Sequence, residues 1–232
     1  MDIELIFQNA DKILSPENLL FILKGAGISL VIATIALLFG TIFGILGAAG
    51  KISKNPILRT LSTIYVNLVR GTPMLLQILF FYLGFPLLFR AITGEVLRAQ
   101  AYVVAIAAIS LNSGAYSTEL IRSGIMAIDK GQWEASKTLG LSYMQMMRFI
   151  ILPQAFKQII PPMVSEYITL IKDSSLASVI GAVELLQSAQ IIGAKYYNYL
   201  IPLLAVSVVY LIMTSIIAFI AMHLERRMAV SD

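Results

Sequence analysis

The chain has 232 residues, 58% of them apolar and only 13% charged, with a mean hydropathy of +0.84. Soluble domains carry about 25% charged residues, so an ordinary soluble domain is excluded, and a lipid-embedded bundle of this length leaves no room for a second large domain. Cysteine is absent, which removes disulfides and Cys-ligated metals, and a net charge of +4 is better read through loop placement than as a nucleic-acid footprint.

In chain order, the first segment carries Asp2, Glu4, Asp11 and Glu17 and lacks both a basic start and a small-residue cleavage site, so it is not read as a signal peptide. Ser15-Pro16-Glu17 reads as a helix start: a capping hydroxyl, Pro in the first turn and an acid near the positive dipole end. This segment is expected on the membrane surface, leading into the first span. Spans are placed where about 20 apolar residues could cross the hydrocarbon core. They fall at 25–49, 58–88, 101–127, 143–181 and 200–224. The first holds Gly40, Gly44 and Gly47, a surface for close helix contact, read as packing inside one subunit rather than a dimer signal. The second is interrupted at Gly71-Thr72-Pro73. The fourth is expected to bend, broken by Pro153 and Pro161-Pro162. The fold class is therefore all-α, five transmembrane helices in a single domain, with no internal repeat.

Lys and Arg concentrate on one side of these spans. Lys51, Lys54, Arg59, Lys130, Lys137, Arg148, Lys157, Arg226 and Arg227 outnumber Lys12, Lys24, Arg90, Arg98 and Lys195. The first set should be cytoplasmic, which places the N-terminus outside and the C-terminus inside.

Between the third and fourth spans lies a polar connector, 128–140. Trp133 to Leu139 reads as a short helix, with the helical segment at about 132–140. Gly140 stands where a helix stops in the left-handed conformation. Ser142 then caps the next helix, with Gln145 completing a capping box. Such a short helix can insert into a groove on a partner.

The run Glu134-Ala135-Ser136, then Gly140, Ile150, Leu152 and Pro153, resembles the cytoplasmic docking loop of bacterial ABC-importer permeases. Ser136 replaces the usual second Ala, a small-for-small exchange. Arg70-Gly71-Thr72-Pro73 with Leu76-Gln77, and Lys172-Asp173-Ser174-Ser175-Leu176, resemble signatures of that family's polar amino-acid branch, the histidine-, glutamine- and arginine-type permeases. The similarity covers roughly residues 20–225. It implies the type I importer permease core, with Trp133, Glu134, Ala135, Leu139 and Gly140 forming the coupling helix. It also implies three partners: a second permease, identical or sister; a cytoplasmic ABC ATPase dimer that binds ATP and Mg; and an extracellular amino-acid-binding protein. The expected setting is the bacterial inner membrane, with the lipid bilayer as solvent and no nucleic-acid partner. The chain itself has no phosphate-binding loop. The nearest candidate, Gly50-Lys51, has Ile45 in place of the first Gly and Ile52 in place of the hydroxyl. It is thus expected to be a transport subunit, not an enzyme, and to hold no cofactor.

Charges inside spans are costly and usually face a cavity or each other. Asn112, Tyr116, Glu119 and Arg122 fall on one face of the third span; Glu166, Thr169 and Asp173 share a face of the fourth. With Arg70 and Ser174 they are the candidate lining of a substrate path. Internal pairing, for example Glu119 with Arg122, is the competing reading for any single residue. Carboxylates would hold an ammonium or cationic side chain. Arg70, or the free amides at the Gly71–Pro73 break, would hold a carboxylate. Polar or charged L-amino acids are the expected cargo, basic ones slightly favoured. His223 is the only histidine, so no metal site is expected. A self-contained ion-coupled secondary carrier or channel, with Glu119 or Asp173 as its ion site, is the alternative; it leaves the docking segment without a purpose.

Overall fold

The computed structural model describes residues 9–98 and 100–229, with side chains to 223. Asp2 and Glu4 lie outside the described residues, as do the side chains of Glu225, Arg226 and Arg227. All regular structure among the described residues is helical. The helices are α1 (Ala10–Ile13), α2 (Pro16–Ile52), α3 (Pro56–Arg70), α4 (Met74–Thr93), α5 (Ala101–Met126), α6 (Lys130–Thr138), α7 (Tyr143–Ile180), α8 (Leu185–Tyr196) and α9 (Leu200–Ala229).

α2 begins at Pro16, as the sequence suggests, but Ser15 makes no side-chain cap. Its 37 residues measure about 56 Å at 1.5 Å per residue, well beyond a hydrocarbon core of about 30 Å. α1 is anchored to the bundle: Ile13 is buried in a cluster with Ile22 and Ala26 of α2, Leu185 and Ile192 of α8, and Ile201 of α9.

α5 is the central helix, in contact with α2, α3, α4 and α7. Its interface with α2 is built from small residues. A Cβ on Gly40 would fall 2.6 Å from Ser113 Oγ, and one on Gly44 would fall 2.5 Å from Ser117 Cβ. In return, a Cβ on Gly114 would meet Phe43 Cβ and the Tyr65 hydroxyl at 2.6 Å. The glycine spacing therefore serves packing within one chain. Overpacking such a contact costs about 1–3 kcal/mol. Gly44→Val should cut the yield of monodisperse protein several-fold in detergent size-exclusion chromatography. Gly27→Val, where nothing lies within 4 Å, should match the wild type.

Among the described residues, three helical stretches are long and apolar enough to cross a membrane: α2, α4 and residues Leu200–His223 of α9. α7 with α8 qualifies only as a pair bent by 47°. α5 falls outside this set because it is more polar, with that polarity packed against its neighbours. It buries Ser110, Asn112, Ser113, Ser117 and Thr118, polarity that lipid would not tolerate. The expected second span is two helices, since Gly71–Pro73 ends α3 and starts α4.

Prolines shape the remaining helices in an unexpected way. π-helical turns at Phe80–Gly84 and Met147–Ile151 immediately precede Pro86 and Pro153. The wider turn accommodates the ring and the carbonyl that proline cannot bond. Pro161 and Pro162, expected to break the fourth span, lie inside a continuous helix from Leu152 to Asp173. α7 then tightens to 3-10 geometry over Ser174–Ile180 and stops at Gly181, φ 82°. α8 follows, a helix outside the five expected spans.

Candidate functional site

The site is built around the break between α3 and α4. Pro73 has no N–H and disfavours helical geometry at Thr72, so the chain must leave the helix there. The Gly71 amide still donates to Asn67 O at 2.9 Å. The side chain of Gln77, one turn into α4, folds back onto the break. Its Nε2 donates to Val69 O (2.7 Å), Thr72 Oγ1 (2.9 Å) and Thr72 O (3.1 Å). Thr72 Oγ1 in turn donates to Leu68 O at 3.0 Å. Carbonyls that a helix end leaves without partners are thus satisfied.

The break opens onto a cavity of about 450 Å³, within the usual range of about 300–1,000 Å³ for small-molecule sites. Residues Arg70 to Met74 form one wall, Asn112 and Tyr116 of α5 a second, and Glu166, Thr169 and Asp173 of α7 a third. The Arg70 guanidinium lies 5.0 Å from the centroid of the Tyr116 ring. At the α4 N-terminus the first-turn amides lack intrahelical acceptors and carry the positive end of the dipole. Among the described residues, both ion pairs involve Glu119. No ion pair therefore consumes Arg70, Glu166 or Asp173, and the cavity presents one cation and two carboxylates.

Six of the nine residues expected along the path line this cavity; three do not. Glu119 is held between Lys51 of α2 and Arg122 of its own helix, the latter at 3.0 Å. The face shared by Asn112 and Arg122 extends about 15 Å along the helix, so its far end runs past the cavity. Ser174 is fully buried, its hydroxyl donating to Ile171 O at 2.7 Å.

The connector forms α6, starting two residues earlier than the sequence suggests. Asp129 caps it by accepting from the Gly131 amide at 2.7 Å. Gly140, φ 70°, ends it in the left-handed conformation, and the Ser142–Gln145 capping box starts α7. Glu134, Ala135, Leu139 and Gly140 are exposed, Leu139 to 78%. Trp133 departs from its expected role. It is half-buried, packed with Ala48, Ile121, Ile125 and Ile151, and so anchors α6 to its own chain. Ser136 is buried too, its Oγ bonded to Gln132 O at 2.6 Å, and Gln154 Nε2 reaches Gln132 Oε1 at 3.2 Å. α6 is therefore fastened on one face and open on the other.

Sequence reasoning missed Glu184. This fully buried carboxylate caps α8, accepting from the amides of Leu186 (2.9 Å) and Gln187 (2.8 Å), Ser29 Oγ (3.2 Å) and Tyr210 OH (3.0 Å). The available signal was an acid just ahead of the 185–196 run, muted because Glu is not among the preferred caps.

The sequence matches the binding-protein-dependent transport system inner membrane component family over residues 40–230. The chain belongs to that family. Among its relatives, the arginine transport system permease protein ArtQ of Bacillus subtilis is 40% identical over 212 residues, 91% of this chain and 94% of that protein. The glutamine transport system permease protein GlnP of Escherichia coli is 35% identical over 209 residues, 90% of this chain and 93% of that protein. The crystal structure of an amino acid ABC transporter with histidines superposes with a TM-score of 0.82 at 33% identity, covering 89% of this chain and 94% of that one. The all-helical architecture is thus that of an ABC importer permease, and the chain is an inner-membrane transport subunit.

Proposed function

We propose that this permease passes polar or charged L-amino acids, with basic ones favoured, through the cavity at the α3–α4 break. The carrying observation is the cavity's charge set. A zwitterion uses its α-carboxylate on Arg70 and the α4 amides and its α-ammonium on one of Glu166 or Asp173. The second carboxylate is then left for a cationic side chain. The names of the relatives, an arginine and a glutamine system, support cargo of this class. α6 docks a cytoplasmic ATPase dimer that binds ATP and Mg. A second permease completes the membrane part, and an extracellular binding protein delivers cargo. In this reading the α3–α4 pair, α5 and α7 join α2 and α9 as five crossings, with the N-terminus outside and the C-terminus cytoplasmic, as the Lys and Arg distribution suggests.

The test is uptake into proteoliposomes holding the permease, its ATPase and its binding protein. Glu166→Gln combined with Asp173→Asn removes the α-ammonium partner from both cargoes but the side-chain partner from arginine alone, so arginine uptake should fall at least about tenfold further than glutamine uptake, about 1.4 kcal/mol. Equal losses, or none, would contradict the charge assignment.

A further inference from the structure

Asn112 is the one almost fully buried side chain in the cavity wall whose amide could face either way, offering a ligand a donor or an acceptor. Its orientation is set from outside the cavity. Val69 O and Thr72 O can only accept, so the end of Gln77 that meets them at 2.7 and 3.1 Å must be its NH2 group. The other end, Oε1, then faces Asn112 and can only accept. Asn112 answers with Nδ2 at 3.1 Å. The end of Asn112 that Gln77 leaves unbonded is its carbonyl oxygen.

We propose that Gln77, which does not line the cavity, is a positioning residue that turns the Asn112 carbonyl toward a bound amino acid, adding an acceptor for an ammonium or guanidinium group. The inference rests on the reading that cargo occupies this cavity. The broken helix supplies the polarity and Gln77 carries it across to α5. With a flipped amide the wall would instead offer an N–H donor, which suits a carboxylate. The relay therefore favours the cationic end of the cargo, in the same sense as Glu166 and Asp173.

The experiment is equilibrium binding of radiolabelled arginine to the detergent-solubilised permease–ATPase complex without binding protein, which would otherwise mask the membrane site. Gln77→Met and Gln77→Leu are both made, with Asn112→Leu and the corresponding double variants. Each single variant should raise the Kd for arginine about fivefold or more. A double variant should be no weaker than the weaker single, because the two residues act as one unit. Gln77 serving only to brace the break would instead give multiplying losses. Multiplying losses, a wild-type Kd in the Gln77 variants, or failure of both Gln77 variants to assemble would overturn the proposal. Glu166→Gln separates the two levels. If it too leaves binding untouched, or the wild type binds no arginine, the cavity reading falls along with the relay. If it weakens binding while Gln77→Met does not, only the relay falls.

Discussion

Glu134→Arg is expected to abolish ATP-driven uptake while leaving the permease folded in the membrane. Glu134 is exposed on the open face of α6, and among the described residues it joins no ion pair. The helix is held by other groups: the Asp129 cap, the half-buried Trp133 and the Gln132–Gln154 contact. Reversing the charge at 134 therefore leaves the internal fastening intact and changes only what a partner meets. Like-charge juxtaposition across an interface costs several kcal/mol. A loss of about 3 kcal/mol is about a hundredfold in affinity for the ATPase. Proteoliposome uptake should fall to background with unchanged monodispersity, and retention of half the wild-type rate would contradict the docking role. Trp133→Ala should behave differently. It removes a side chain packed into the α2, α5 and α7 base, so the loss should appear as lower thermal stability of the permease alone.

Glu184→Leu is expected to lower the thermal stability of the folded protein sharply. The carboxylate collects four donors from three helices: two amides of α8, Ser29 of α2 and Tyr210 of α9. Leucine has about the right bulk but accepts nothing. Each donor left buried without a partner costs about 1–3 kcal/mol. Gly25 adds to the sensitivity, since a Cβ there would fall 2.9 Å from Glu184 O, so α8 sits directly on α2. Glu184→Gln should be milder, because one oxygen still accepts while its NH2 group opposes a donor. The measurement is the midpoint of thermal aggregation in detergent, with the order wild type above Gln above Leu. A Leu variant that melts with the wild type would contradict the network.

Features written in neighbouring residues were legible from the sequence. The helix break at Gly71-Thr72-Pro73, the left-handed stop at Gly140, the Ser142–Gln145 box and the Gly40-Gly44-Gly47 contact face depend on residues a turn or two apart. The shared polar face of Glu166, Thr169 and Asp173 also reads directly from helical spacing. What failed depends on the partner across the bundle. Nothing near Glu119 announces Lys51, 68 positions away on another helix. Periodicity shows that Trp133 is apolar, not whether it meets its own chain or another. Pro161 and Pro162 look like a break by local rules. The helix persists because buried residues on either side, Ile159 before and Leu170 and Ile171 after, hold it in place. Glu184 gave only a weak cap signal, and its helix is neither long nor apolar enough to register as a span.

The proposed function requires that this subunit carry polar or charged amino acids using energy from a separate protein docked on α6. The most direct test is purification of the tagged chain from its native membrane in mild detergent, with quantitative mass spectrometry of what accompanies it. A P-loop ATPase is expected at about one copy per permease, lost from the Glu134→Arg variant. A chain that emerges alone, reproducibly and still folded, would contradict the proposed function.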